Sequence, residues 1–247
     1  MPKIYLSPST QEYNTYITGS GSEEYWMNLV ADAMEPYLRA NTIRFTRNTP
    51  QMTAASSIAQ AAQGEYDFYL ALHSNASGDG RTEGQARGII CFYYPTSVKG
   101  KEAAEIFRAQ LRRIYPLPQK VTVQATTTLG EVRRPKPPAN LLELGYHDNV
   151  ADARWIESNV GTIARSLVMG LCDYFSLPFI EPGVPQKGVV ATAEGPLTLR
   201  AYPDAGGPAV GALPRGETVT VYGAYNGWYA VAYGDLAGYA AANYIEL

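Results

Sequence analysis

From Lys3 onward the chain alternates short apolar runs with longer stretches in which apolar positions recur every three or four residues. Lys3 to Ser7 reads as a strand that stops at a Ser/Pro turn. Between Ser22 and Arg39, Met27, Val30, Ala31, Met34 and Leu38 stand at i, i+3, i+4, i+7 and i+11. That is the spacing of one helical face, and Ser22 is placed to cap its start. Thr42 to Thr46 is the next expected strand, and Ala-rich Met52 to Gln63 the next helix, with Thr53 near its beginning. Tyr66 to Leu72 is a continuous apolar run but for Asp67, as expected of a strand covered on both faces of a sheet. Gly88 to Tyr94 repeats the pattern. Lys99 to Tyr115 is helical, Val121 to Gln124 a short strand, Asn140 to Leu144 a strong one, and Ala151 to Phe175 a long closing helix. Strand and helix in alternation predict an α/β domain, a mostly parallel sheet flanked by helices. Such sheets place ligands beyond the carboxyl ends of their strands.

The pattern then changes. Leu177 to Gln186 carries Pro178, Pro182 and Pro185 and reads as a semi-rigid linker. From Val189 to Leu247, short alternating runs broken by Gly, Pro, Asn and Asp predict a small all-β barrel. The expected division is therefore a domain at 1–176, a linker at 177–188 and a second domain at 189–247.

Composition narrows the partners. A formal net charge of −3 supplies no basic field for nucleic acid or anionic lipid, so recognition has to be local. No run approaches the roughly 20 apolar residues of a membrane span. The 19 tyrosines suit sugar and peptide surfaces, though they suit antiparallel strands equally. Cys91 and Cys172 each lie in an apolar run and read as buried thiols rather than as a disulfide framework or a zinc site. The first residues, Met1-Pro2-Lys3-Ile4-Tyr5-Leu6, enter a strand at once and do not form a signal peptide. A trimmed mature chain and release without a cleaved signal are the two expectations this leaves.

Three polar residues stand where chemistry is expected. In Leu70-Ala71-Leu72-His73-Ser74-Asn75-Ala76 an apolar strand runs into His73, at the end where α/β sheets hold ligands, and imidazole is the commonest protein ligand for zinc. A hydrogen-bonded structural His is the plainer reading. In Asn140-Leu141-Leu142-Glu143-Leu144-Gly145-Tyr146 a carboxylate interrupts an apolar strand, which is costly unless it is paired or functional. Glu143 is thus a candidate general base and acid, or else a salt-bridged structural residue. Glu23 and Glu24 open the first helix, where acids also stabilise the helix dipole. Glu23 lies one turn before Met27 on the inward face and is the better ligand candidate; Glu24 points more to the side.

Taken in order, these segments resemble the zinc-dependent N-acetylmuramoyl-L-alanine amidases of the amidase-3 family. Tyr69 to Ala76 is similar to that family's SIHxNA segment, Leu141 to Tyr146 with Asn149 to LVELGF and its following Asn, and Ile43 to Arg47 to its vxLTR strand. Glu23 with Met27, Val30 and Ala31 resembles the helix that carries the Glu ligand. The resemblance covers about residues 3 to 175. It implies a metal held by two His and one Glu, with His73 and Glu23 as ligands to zinc and Glu143 as acid/base. The implied reaction is hydrolysis of the amide between the lactyl group of N-acetylmuramic acid and the L-alanine of the stem peptide. Zinc would lower the pKa of a water to about 7 and polarise the scissile carbonyl.

One part departs from the pattern. The family's first His sits in a DPGHGG turn after the first strand; here that turn is Ser7-Pro8-Ser9-Thr10-Gln11-Glu12-Tyr13-Asn14. The only other His, His147, occupies no ligand position of the family and reads as a loop residue. Thr10, Gln11, Glu12 or Asn14 is left to complete a weaker site, since oxygen ligands hold zinc less well than imidazole. A metal-free, catalytically inactive peptidoglycan-binding protein on the same fold is the alternative, and another amide hydrolase on this scaffold a third possibility.

The C-terminal segment resembles bacterial SH3 (SH3b) domains. The matching stretches are Pro196 to Pro203, Gly211 to Gly216, Asn226-Gly227-Trp228-Tyr229-Ala230-Val231 and Gly238-Tyr239. Such modules bind cell-wall peptides and concentrate an enzyme on an insoluble substrate. Trp228 and Tyr229 read as barrel filling, and Tyr202, Tyr225 and Tyr233 as a possible binding face. The resemblances imply peptidoglycan as substrate and partner, in the cell wall or outside the cell. An endolysin released by a holin and a host autolysin both fit.

Overall fold

The computed structural model describes residues 1–247. Its residues form two compact units, one of Lys3–Met34 and Phe45–Tyr174, the other of Met1–Pro2, Glu35–Arg44 and Phe175–Leu247. No helix is long and apolar enough to cross a membrane.

In chain order the α/β elements are β1 (Lys3–Pro8), α1 (Glu23–Ala40), β2 (Arg44–Arg47), α2 (Ala54–Ala61), β3 (Phe68–Asn75), β4 (Ile89–Tyr93), α3 (Val98–Leu111), β5 (Val121–Ala125), α4 (Gly130–Arg133), β6 (Ala139–Tyr146) and α5 (Val150–Phe175). The sheet order is β2-β1-β3-β6-β4-β5. β1 with β3, β3 with β6 and β4 with β5 run parallel, and β4 with β6 antiparallel, so the expected mostly parallel sheet is present. Local chemistry sets the helix starts. Ser22 Oγ accepts the Tyr25 N–H, and Thr53 and Ser56 form a reciprocal capping box at α2.

Two differences from the sequence pattern matter for the site. β3 continues past Leu72 to Asn75, because β6 goes on pairing with it after β1 has ended at Leu72 and carries His73 into the ladder. The short α4, too brief to show a periodicity, lies between β5 and β6.

The remaining strands are β7 (Gln186–Val190), β8 (Leu197–Arg200), β9 (Ala209–Leu213), β10 (Thr218–Tyr225), β11 (Trp228–Tyr233), β12 (Leu236–Ala241) and β13 (Ile245–Glu246). They form an antiparallel sheet in the order β13-β7-β10-β11-β12-β8-β9 around a core of Val190, Leu199, Leu213, Val219, Val231 and Ala240. Its first strand begins at Gln186, before the expected Val189. Asn226 and Gly227 join β10 to β11 with φ of 45° and 82°, the doubly left-handed turn that matches strand twist. Nothing lies near a Cβ placed on Gly227, so Gly227→Ala carries only the backbone penalty. That change should cost about 1–2 kcal/mol and bring denaturant unfolding of the barrel earlier; an unmoved midpoint would contradict this turn.

Candidate active site

One face of the α/β sheet changes character along its strands. Side chains two residues apart share a face, so Tyr5 and Ser7 on β1, Tyr69, Ala71 and His73 on β3, and Ala139, Leu141 and Glu143 on β6 form three rows. Register sets Tyr5 beside Tyr69 and His73 beside Glu143. At the amino-terminal end the rows are apolar and pack with Ile58 and Ala61 of α2 and Val132 of α4. At the carboxyl end Ser7, His73 and Glu143 take over, where an α/β sheet presents its functional groups.

His73 is buried and paired on both ring nitrogens. Nδ1 lies 2.8 Å from Glu23 Oε1, and Nε2 lies 2.9 Å from Glu131 Oε2. Glu23 enters from the first turn of α1, is 1% exposed, and accepts a 2.6 Å hydrogen bond from Asn14 Nδ2 on its other oxygen. Glu131 comes from α4; its Oε1 accepts Ser7 Oγ at 2.6 Å and Tyr69 OH at 2.7 Å.

Electrostatics follows from this arrangement. Burial disfavours the imidazolium, but hydrogen bonds to Glu131 and Glu23 and their charges outweigh it and hold the His73 pKa well above the usual imidazole value. Burial likewise opposes ionisation of Glu23 and Glu131, yet the hydrogen bonds and charge of His73 prevail and hold both below the ordinary carboxylate range. Glu143 differs. Its Oε2 is enclosed without a hydrogen-bond partner. Burial, opposed by the His73 charge and reinforced by Glu23 and Glu131, pushes its pKa up to about 7.

The structure thus brings Glu23 and His73 into contact and sets Glu143 on the strand beside His73. Glu24 is elsewhere, bonded to Asn28. Of the four turn residues, Gln11 Nε2 lies 3.4 Å from both Glu23 Oε1 and His73 Nδ1, Asn14 holds Glu23, Thr10 lines the cleft, and Glu12 is exposed. His147 is a packing residue: its Nδ1 lies 2.9 Å from Ser74 O, and its ring stacks on Tyr16. An open cleft of about 290 Å³ reaches His73 and Glu131 and is lined also by Ser9, Thr10, Gln11 and Asn48; Glu23 and Glu143 do not line it. Glu131 was not singled out from the sequence; the only hint is an acid beside Val132 in an otherwise polar stretch.

No group of three His, Cys, Asp or Glu side chains is placed to hold a metal ion. The donor set is one imidazole nitrogen and one carboxylate, with the Gln11 carboxamide as neighbour to both.

The family model described as N-acetylmuramoyl-L-alanine amidase matches residues 10–173. The chain belongs to this amidase family. Residues 195–246 of this family member match the bacterial SH3 domain model. A search of curated proteins gives no match. Among solved structures, the amidase AmiC2 of Nostoc punctiforme is 12% identical with a TM-score of 0.62, covering 71% of this chain and 97% of its own. An N-acetylmuramoyl-L-alanine amidase from Clostridium difficile 630 is 16% identical with a TM-score of 0.63 over 71% and 97% of the two chains. The catalytic domain of the CD27L endolysin, targeting Clostridia difficile, is 22% identical with a TM-score of 0.55 over 70% and 98%. At these identities the likeness is one of fold. In this amidase-family chain the turn after β1 places a carboxamide, Gln11, beside Glu23 and His73.

On the SH3 module, Trp228 is half-buried at an open cleft of about 470 Å³ that also includes Glu194, Arg200 and Tyr244. Tyr202 and Tyr225 are exposed, and Tyr233 packs against the barrel core.

Proposed function

We propose that the chain is a peptidoglycan hydrolase that cuts the amide between N-acetylmuramic acid and the L-alanine of the stem peptide, with the SH3 module holding it on the wall. The proposed division is a catalytic domain at 1–176, a linker at 177–188 and a wall-binding domain at 189–247, acting in the wall or outside the cell. The observation that carries the reading is Glu143. A carboxyl with a free, enclosed oxygen and a pKa of about 7 is present in both protonation states at neutral pH, as a general base that later acts as an acid requires. It stands beside His73 at the strand ends.

Glu143 Oε2 is the atom that takes a proton from the attacking water and returns it to the leaving L-alanine nitrogen. The cleft over His73 receives the stem peptide. Glu23 and His73 would hold a zinc ion, with Glu23 fixed from behind by Asn14. These two side chains alone are fewer donors than a zinc site with two imidazoles and a carboxylate has. The Gln11 carboxamide beside them turns its nitrogen to both, and its oxygen accepts from Tyr13 OH and Asn14 Nδ2. Bound there, zinc would supply a lowered pKa for water and polarisation of the scissile carbonyl.

The second reading, a metal-free binding protein, has one observation in its favour: both nitrogens of His73 already face carboxylates. Mass spectrometry of digested muropeptides separates the two. The hydrolase releases stem peptides with a free L-alanine amino group and leaves the lactyl group on the sugar. A chain that sediments with walls yet leaves every lactyl amide intact is a binder.

A further inference from the structure

We infer that the cleft beside His73 selects by charge: it accepts stem peptides whose groups next to the L-alanine are neutral carboxamides and turns away those with a free carboxylate there. The inference rests on the amidase reading above, in which this cleft receives the stem peptide, and it names the class of stem peptide taken.

The hydrogen-bond donors around the cleft carry it. No Lys or Arg lines the wall. Arg47, next in the chain to the lining residue Asn48, is tied to Asp32 Oδ1 and to Asn28. His73 is the one lining group able to carry positive charge, and its two ring nitrogens face Glu23 and Glu131. The neutral donors are committed as well. Gln11 Nε2 lies 3.4 Å from both Glu23 Oε1 and His73 Nδ1, and Asn48 Nδ2 serves Ser7 Oγ, Pro8 O and Ser57 Oγ, the longest at 3.3 Å. Ser7 Oγ donates to Glu131, Tyr13 OH donates to Gln11 Oε1, and the Thr53 hydroxyl bonds Ser56 in the capping box. In the turn after β1, the N–H groups of Ser9 and Gln11 donate to Leu72 O and Ser9 Oγ, and the Ser9 hydroxyl helps to hold the charge of Glu23. The Thr10 hydroxyl is the side-chain donor left over. A carboxylate entering here gives up its water and gains no charge-assisted bond in return. A carboxamide of the same shape has no charge to strip of water, and its N–H groups suit acceptors. Asn48 supplies one, since its Oδ1 has no partner. Pro8 O can only accept, so the Asn48 carboxamide cannot turn round to offer its nitrogen to an anion.

The test gives the full-length chain two soluble substrates that differ in one group. They are N-acetylmuramoyl-L-alanyl-D-isoglutaminyl-L-lysinamide and its counterpart in which the α-carboxamide of the second residue is a free carboxylate. Release of the peptide is followed by mass spectrometry at pH 7. The amidated substrate should have the higher kcat/KM by about 10–100-fold, the cost of leaving a desolvated charged group without a partner. The difference should lie in KM, because the group binds and does not react. Thr10→Lys and Met52→Lys each add a cation to the wall at a half-buried position, and each should narrow that ratio several-fold. Either variant carries this arm if the other does not fold. Equal kcat/KM for the two substrates, or a preference for the free acid, overturns the inference and leaves the amidase reading intact, since both are cut. A preference that neither Lys variant alters overturns the assignment to this cleft. Failure to cut either substrate overturns the amidase reading and the inference with it.

Discussion

His73→Ala is expected to lower the stability of the metal-free chain by about 3–5 kcal/mol, the cost of removing the cation from a buried ion cluster. Glu23 and Glu131 would be left as facing buried anions, at 1% and 4% exposure, with only neutral donors around them. Adding Glu23→Gln and Glu131→Gln to His73→Ala should recover much of the loss, because no uncompensated charge then remains. The pH dependence has a fixed sign. His73 has a raised folded-state pKa, so its contribution is complete below the ordinary imidazole value and is lost as pH rises through the folded value. The two carboxyls, held low, contribute above their ordinary value of 4.5 and lose that contribution as pH falls through their folded values. Wild-type stability should therefore decline on the alkaline side in a way that His73→Ala does not. Denaturant unfolding across pH measures this, and a loss under about 1 kcal/mol at pH 7, well short of the expected range, would show that the cluster is not charged.

The second large effect is on Glu143. Glu143→Gln should reduce cleavage about 10²–10⁴-fold, the usual contribution of a general acid/base. The same change should stabilise the protein. The wild-type carboxyl keeps its proton in the folded chain up to about pH 7, whereas the unfolded chain releases it near 4.5. Wild-type stability thus falls as pH rises between those values, and the full penalty is present above the upper one. The variant lacks that slope and should be more stable at pH 8 by about 1–3 kcal/mol, less than the pKa difference alone implies because the residue is partly exposed. Lower activity with higher stability is the signature of a strained functional group. Lower activity with lower stability would mark Glu143 as structural.

Part of this site was readable before any coordinates. His73 and Glu143 are polar interruptions at the carboxyl ends of apolar strand runs, and Glu23 is an acid on the inward side of a periodic helix. Each conflicts with a strong local pattern, and such a conflict is visible in one dimension. Glu131 conflicts with nothing. It sits on a one-turn helix with no period to violate, and its partner His73 is 58 residues away. Gln11 was one of four polar residues in a turn without pattern, and only the fold distinguishes it, facing Glu23 and His73, from exposed Glu12. The extension of β3 to Asn75 was hidden for a related reason: pairing with β6, rather than composition, keeps His73 in the strand. In the barrel, Asn226-Gly227 entered only as part of the SH3 resemblance, and the structure places it in a turn whose backbone requirement the dipeptide meets.

Zinc content of the purified full-length chain by elemental analysis, run beside His73→Ala and alongside muropeptide digestion, is the most direct test of the central claim. About one zinc per chain, lost in His73→Ala together with lactyl-amide cleavage, is the expected result. Cleavage that persists with no zinc or other divalent metal bound would contradict a metal-dependent amidase built on Glu23 and His73.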